Sequence, residues 1–526
     1  MAETKMRRLP VGLQSFKKIR TGGYHYVDKT DMIWNLVNNG DQFNYLSRPR
    51  RFGKSVLVDT LQMYLEGRKE LFEGLKIMDL EKEWKQYPVI RLDMSRGGAT
   101  AADVSSYLSN LFEDYEKKYH IQINTIDSLG DRFDRIIKTA YEQLGLPVAI
   151  LIDEYDSPLQ HSWKTPEHEA CTAVYRSVFA ILKADDEFEK IVFITGITKF
   201  TQISLFSVLN NLTNISFFPE YVSLCGITEQ EITENFQPEM ERMGAMNSWN
   251  PQETHDHLKE YYDGYHFSGS NMTDIYNPYS LINALAQGQL KNYWAASGAT
   301  SLIPKFVDNI EIELDSFEGC YIDRDTLELS DVVDGGAALF LYQSGYLTIK
   351  GYDEGLYILG FPNEEVKKAL YRMVVPALTL RNNSQVVTIQ ALLTKTMRDG
   401  NVAEAMKHLK ALIADVPYSN KKMASMDMEE CYRLIISTIF NAIGFNVEVE
   451  KMLATGRIDM VVRTPRIIYV IELKLSKNGG KKAGVDQIVR NQYLEPFKSD
   501  HRRVIGLSFE LDDLGKGLLD WQEVAE

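Results

Sequence analysis

Cysteine is scarce in this chain. Four residues in 526 are spread over Cys171, Cys225, Cys320 and Cys431 with no paired spacing. That excludes a disulfide framework and a cysteine-based zinc site, and it reads as reduced core thiols in a cytoplasmic protein. Long apolar runs are missing as well. None reaches the ~20 residues that a membrane helix needs, so no membrane partner is expected. The first ten residues are charged and lack the apolar stretch of a secretory signal. Internal repeats and low-complexity tracts are absent. Excess positive charge is absent too: the net charge is −15, which argues against a generic nucleic-acid binder.

The charge is nevertheless uneven. Met1 to Lys54 carries eleven Lys/Arg against four Asp/Glu, and Lys451 to Arg503 carries twelve against five. Two basic stretches in an acidic chain are either chance clusters on solvated faces or regions that face phosphates. The length suggests three or four domains at ~150 residues each.

The N-terminal part alternates strand and helix patterns. Strands are predicted at 43–46, 89–94, 148–152 and 191–194, with helices between them at 103–119 and 131–144. This predicts a three-layer α/β domain with a mostly parallel sheet over residues 1–227. From 228 to 383 short helices, Tyr-rich turns and a β-ribbon (346–350 with 356–359) read as a helical or winged-helix-like lid. An amphipathic helix at 391–413 makes 384–427 a connector. Residues 428–526 read as helix, hairpin, helix, strand.

The most informative stretch is Arg48-Pro49-Arg50-Arg51-Phe52-Gly53-Lys54-Ser55. It lies between an apolar strand pattern and a helix pattern, as a phosphate-binding (Walker A) loop does. An arginine stands where the first glycine of G-x-x-x-x-G-K-[ST] belongs. Proline at 49 fixes its own φ and pushes Arg48 toward extended geometry, so the loop begins differently. The segment Arg51, Phe52, Gly53, Lys54, Ser55 and Val56 is expected to hold ATP. Lys54 would reach the β- and γ-phosphates, and Ser55 would ligate Mg²⁺.

A strand of five apolar residues, Val148 to Ile152, ends in Asp153-Glu154. Asp153 is expected to hold Mg²⁺ as the Walker B acid, and Glu154 to deprotonate the attacking water. After the next strand, Thr195 to Lys199 offers a polar sensor of the γ-phosphate or a plain strand-ending turn. Arg50 and Arg51 lie near the phosphates or pair with local acids.

A second constellation stands near the C-terminus. If the hairpin 455–474 is symmetric about Pro465 and Arg466, Asp459 lies opposite Glu472, with Cβ atoms about 5 Å apart. Lys474 shares the face of Glu472. Two carboxylates at that separation suit a divalent metal such as Mg²⁺, and the lysine can activate water or stabilise a phosphorane-like transition state. Glu429 or Glu430 on the preceding helix could add a carboxylate. Gln487 and Tyr493 would begin a flanking helix. The alternative is an exposed hairpin face neutralised by Lys474. The basic surroundings favour a polyanion such as DNA.

These motifs together carry a resemblance. Leu9-Pro10-Val11-Gly12, Tyr26-Val27-Asp28-Lys29-Thr30 and the R-P-R-R-F-G-K-S loop are similar to the AAA-ATPase-like family, where this form of the loop is usual. So are Leu205-Phe206-Ser207 with Asn210-Asn211-Leu212, Tyr262-Asp263-Gly264-Tyr265, Tyr276-Asn277-Pro278 and Gly345-Tyr346-Leu347-Thr348. Gly456-Arg457-Ile458-Asp459, Glu472-Leu473-Lys474, Gln487 and Tyr493 resemble the PD-(D/E)xK nuclease superfamily that such proteins commonly carry. The resemblance implies a P-loop NTPase fold of the AAA/ASCE type, then a restriction-endonuclease-like α/β domain. It implies ATP contacts at Gly53, Lys54 and Ser55, acidic roles for Asp153 and Glu154, metal ligands at Asp459, Glu472 and Glu429, and a catalytic Lys474. Gln487 and Tyr493 are six apart where four is common, which argues against a shared helix face. The function expected is an ATPase coupled to a metal-dependent nuclease. The alternative is a nucleotide-switched signalling or scaffold ATPase whose C-terminal domain binds without cleaving. Homo-oligomer formation stays open.

Overall fold

The computed structural model describes residues 8–122, 127–198, 211–296, 317–329, 336–379, 383–414 and 427–524. Lys199, Leu205-Phe206-Ser207 and Asn210 lie outside them. The chain divides into two compact units. One comprises the N-terminal residues together with Phe317–Glu365, and the other continues from Val366.

The first unit is built on a five-stranded parallel sheet. Its strands are β1 (Phe43–Ser47), β2 (Val89–Asp93), β3 (Val148–Asp153), β4 (Glu189–Gly196) and the short β5 (Thr213–Asn214). They lie in the order β2-β3-β4-β1-β5, all parallel. All six residues of β3 are buried, as a strand covered on both faces requires. The four predicted strands are all present. The two predicted helices run from Ala101 to Lys118 and from Leu129 to Leu144, each opened by a capping box, Thr100 with Asp103 and Ser128 with Asp131. Because β4 lies between β1 and β3, the loop after β1 and the acids after β3 emerge at the same sheet end, flanking the end of β4.

The rest of this unit is mostly helical. A two-stranded sheet, β6 (Ile227–Thr228) with β7 (Ile275–Tyr276), joins helices that bury Phe236, Met243, Leu258, Tyr262 and Leu281 in a core of their own. A three-stranded antiparallel sheet contains β8 (Cys320–Asp323), β9 (Thr348–Asp353) and β10 (Leu356–Gly360). The predicted ribbon is its β9–β10 hairpin.

The second unit holds a mixed five-stranded sheet. Its strands are β11 (Asn446–Leu453), β12 (Gly456–Arg463), β13 (Ile467–Leu475), β14 (Arg503–Leu511) and β15 (Leu518–Val524), in sequence order. Only β13 and β14 run parallel, with the helix Gly480–Arg490 between them in sequence. The edge strands β11 and β15 go beyond the expected hairpin-helix-strand. Their patterns hide them, because Lys451 breaks the alternation begun by Val447 and Val449 in β11 and polar residues break it in β15. The single helix expected at 391–413 is two helices, Asn383–Arg398 and Val402–Ile413, separated at Gly400 with φ +72°. Both are tied to the sheet. The Tyr469 hydroxyl donates to Met397 O at 2.6 Å, and Lys410 Nζ donates to Leu519 O at 3.2 Å. Among the described residues no helix is long and apolar enough to cross a membrane.

Candidate functional site

The loop after β1 closes on a helix, Lys54–Leu65, whose N-cap is Gly53 at φ +91°. Arg51 is also left-handed, at φ +68°. The tight turn is therefore made at residues 51 and 53, and position 48 has a different task. Arg48 is almost fully buried. Its guanidinium donates to the carbonyls of Ser47, Ser216 and Tyr221 at 2.8 to 2.9 Å and lies 4.0 Å over the ring of Phe267. Burial pulls its pKa down to about 10, so the charge persists and is held by carbonyl dipoles and a π face. Arg48 stitches the loop to the segment after β5 and to the helical region.

That region grips the loop residue by residue. Pro49 packs so closely on Gly345 that a Cβ there would lie 2.5 Å from the proline. Trp294 Nε1 donates to Arg50 O at 3.1 Å. The guanidinium of Arg51 lies 4.9 Å over Tyr279, and Phe52 stacks edge-on against Tyr265 at 4.7 Å.

Lys54 is buried, with Nζ donating to Arg48 O at 2.8 Å and Pro49 O at 3.0 Å. Burial lowers its pKa against the pull of Glu154, Asp156 and Asp153. Asp153 Oδ1 accepts from Thr195 Oγ1 at 2.6 Å, while Arg91 Nη2 lies 3.9 Å from Oδ2. Thr195 Oγ1 also accepts from Glu154 N at 3.3 Å, so Thr195 holds the Asp153 carboxylate and the Glu154 backbone. Glu154 has φ +50°. Burial raises its pKa, Lys54 opposes that, and Asp153 adds to it. These groups line a cavity of about 520 Å³ that includes Gly53, Lys54, Ser55, Asp153 and Glu154, within the size range of nucleotide-like ligand sites.

Two residues of this site escaped the sequence reading. Asp156 occupies the N-cap position of the helix Ser157–Ser162, yet its side chain makes no capping hydrogen bond there. Its carboxylate accepts from Ile197 N, Thr198 N and Thr198 Oγ1 at 3.0, 2.6 and 2.6 Å, fixing the end of β4. Arg91, a lone cation inside β2, pairs with Asp59 of the loop's helix at 2.9 Å and gives no sequence signal.

In the second unit the β12–β13 register runs from Arg463↔Ile468 to Met460↔Ile471, so the next row sets Asp459 opposite Glu472, as expected. The two side chains replace the ladder there. Asp459 N donates to Glu472 Oε1 at 3.3 Å, and Leu473 N donates to Asp459 Oδ2 at 2.9 Å. Lys474 Nζ stands 3.3 Å from Glu472, 3.7 Å from Asp459 and 3.6 Å from Glu429. Burial opposes the Lys474 ammonium, but the three acids outweigh it and raise its pKa. Glu472 has no solvent exposure. Burial, then Asp459, pushes its carboxyl up to about 8. The site is short of positive charge. Among the described residues, however, no three His, Cys, Asp or Glu side chains form a ready metal cage.

Gln487 and Tyr493 do not open a helix. Gln487 lies near the end of Gly480–Arg490, and Tyr493 follows it. They still meet, with Gln487 Nε2 donating to the Tyr493 hydroxyl at 3.3 Å. That hydroxyl donates to Arg457 O at 2.9 Å, so the buried Tyr493 braces the β11–β12 turn.

Comparison with known proteins agrees with this geometry. The family model described as a predicted AAA-ATPase matches residues 10–206, and that of the PD-(D/E)XK nuclease superfamily matches residues 427–513. The chain thus carries an AAA-ATPase-like domain and a PD-(D/E)XK nuclease-superfamily domain. It is also similar to an uncharacterized protein in the vnfD 5′ region of Azotobacter chroococcum mcd 1. The two are 28% identical over 524 residues, covering 96% of this chain and 97% of that one.

Two tests follow from the buried charges. Arg48→Gly restores the usual loop glycine but strands three carbonyls and opens a void. It should lower the stability of the N-terminal unit by about 3 kcal/mol, read by urea denaturation; unchanged stability would refute the anchor. Glu472 keeps a proton up to about pH 8 when folded, against an ordinary 4.5. Its contribution is therefore fully present below 4.5 and lost as pH rises toward 8. Glu472→Gln should flatten the fall in melting temperature across that window.

Proposed function

We propose that the protein binds and hydrolyses ATP in its first unit and that this activity is coupled to a Mg²⁺-dependent nuclease in its second, acting on nucleic acid and on DNA in particular. What carries the reading is the convergence of Asp459, Glu472 and Lys474, with Glu429, in a chain that also sets Lys54 opposite Asp153 and Glu154. A cytoplasmic location belongs to the same proposal.

In the first unit a triphosphate would lie along the N-terminus of the helix Lys54–Leu65, over the backbone N–H groups from Arg51 to Val56. Lys54 Nζ would leave the loop carbonyls for the β- and γ-phosphates. Ser55 and Asp153 fit a hard cation, because each supplies an oxygen to the lining of the cavity. Glu154, with its raised pKa, is suited to take a proton from the attacking water.

In the second unit Asp459 and Glu472, with Glu429 beside them, fit Mg²⁺. All three carboxylates lie 3.3 to 3.7 Å from the Lys474 ammonium, and burial, then Asp459, raises the pKa of Glu472 to about 8. Bound there, Mg²⁺ would supply charge neutralisation and a more acidic water. Lys474 would hold that water in place or stabilise the charge that builds on the phosphorus oxygens.

A second reading, a nucleotide-switched signalling or scaffold ATPase whose C-terminal domain binds without cleaving, draws on one observation. Lys474 Nζ stands among the carboxylates, where a cation would go.

Incubation of the purified protein with plasmid, Mg²⁺ and ATP decides between them. Lys474→Ala should lower cleavage by about 100-fold or more, and Lys54→Ala should weaken nucleotide binding by a similar factor and remove any effect of ATP on cleavage. Equal cleavage by all three proteins would refute the nuclease. Nucleotide-dependent assembly with intact DNA would favour the scaffold.

A further inference from the structure

The acidic row in the second unit extends one strand further than the sequence suggests. The β11–β12 ladder passes from Val449↔Met460 to Lys451↔Ile458. Glu450 therefore stands across from Asp459 without pairing to it. Glu450 is left-handed, at φ +52°, a conformation that strains a non-glycine residue. The sheet is thus interrupted on both sides of Asp459, by Glu450 on β11 and by Glu472 on β13.

A cation occupies the gap on the β11 side. Arg433 lies on the helix Met428–Ala442, four residues beyond Glu429 and so on the same face. Its Nη2 lies 3.0 Å from Glu450 Oε1, and its Nη1 lies 3.9 Å from Asp459 Oδ1. Arg457 Nη1 approaches the same Glu450 oxygen at 3.1 Å. Asp459 is therefore flanked by two cations, Lys474 toward Oδ2 and Arg433 toward Oδ1. The contact with Glu450 is close, whereas 3.9 Å is too long for a hydrogen bond. The guanidinium is anchored at one edge and loosely engaged at the other. At 16% exposure the side chain is still reachable from solvent.

We propose that Arg433 is the phosphate-binding residue of this site. Glu450 positions its guanidinium, and the loosely engaged edge takes a non-bridging oxygen of a phosphodiester lying over Asp459 and Glu472. The chemistry favours arginine in this role. A planar fork matches two phosphate oxygens and keeps its charge at any working pH. Engagement of Asp459 with a divalent ion would release the 3.9 Å contact and turn Nη1 toward the substrate. The strained Glu450 then has a purpose, because it holds the fork at the edge of the site and away from its centre. This inference rests on the nuclease reading above.

The test uses the full chain, a short fluorescein-labelled DNA duplex and Ca²⁺ in place of Mg²⁺, so that binding is read without cleavage. Affinity by anisotropy is measured over a salt series, with thermal melting alongside. Arg433→Met should weaken binding about tenfold and make the slope of log affinity against log salt shallower by about 0.9, the value of one lost phosphate contact. Arg433→Lys keeps the charge and the pairing with Glu450. It should leave the slope unchanged and still bind several-fold more weakly, for want of the fork. Wild-type affinity and slope in Arg433→Met would overturn the proposal. If that variant fails to fold, wild-type affinity in Arg433→Lys does the same. Wild-type protein that fails to bind the duplex at all would remove the nuclease reading itself, an outcome distinct from wild-type binding that the Arg433 variants leave untouched.

Discussion

A charge taken out of water must be met by partners within a few ångströms, and that demand decides where Arg48, Lys54, Glu472 and Lys474 sit. Each is buried or nearly so, and each is answered differently. Arg48 has three carbonyls and an aromatic face. Lys54 has two carbonyls of its own loop, with Asp153, Glu154 and Asp156 close by. Lys474 has three carboxylates, while Glu472 has one shared ammonium and retains a proton instead. The first arrangement is nearly complete, with Nε left without a hydrogen-bond partner among the described residues, and its consequence is architectural: the loop cannot be displaced without unpacking the guanidinium. The others are incomplete in a definite sense. Among the described residues Lys54 has no carboxylate in direct contact, and the Glu472 cluster has more acid than base.

Both sites use the same geometric device. The charged groups stand at a place where strand pairing stops and side chains take over the backbone donors. In the first unit this is the end of the parallel sheet, where Thr195 and Asp156 satisfy the last groups of β3 and β4. In the second it is a row inside the sheet, where Asp459 and Glu472 accept the N–H groups that a regular ladder would have paired. A carboxylate held by a backbone donor has one oxygen fixed, which restricts the direction in which the other can serve a ligand.

Much of this was legible in the sequence. The four parallel strands were readable because β3 and β4 are covered on both faces and their apolar runs are unbroken. The opposition of Asp459 and Glu472 was readable because a two-residue turn leaves a hairpin only one symmetric register. Other parts were hidden for physical reasons. The strand β11 alternates only over Val447-Glu448-Val449-Glu450 before Lys451 breaks the apolar face, too short a run to stand out, and its acids serve Arg463, Arg433 and Arg457. The purpose of Arg48 was hidden because its partners are carbonyls of residues about 170 positions away, and a carbonyl has no sequence signature. Gln487 and Tyr493 meet although they share no helix, because the chain turns back between them.

Arg48 changes the meaning of the loop. Glycine at the start of a phosphate-binding loop supplies backbone freedom, yet here the left-handed turns fall at Arg51 and Gly53, so the freedom is supplied later. What replaces glycine is a long cation that reaches away from the turn at Arg51 and Gly53 to the carbonyls of Ser216 and Tyr221. The helical region then contacts Pro49, Arg50, Arg51 and Phe52 in succession. A ligand that drew Lys54 Nζ off the carbonyls of Arg48 and Pro49 would thus act on backbone clamped from the other side by Trp294, Gly345 and Phe267. The displacement would be shared with the helical region and could not be absorbed by a flexible loop. A loop begun by glycine would flex in isolation; one begun by a buried arginine makes any ligand bound in its cavity a concern of the whole unit.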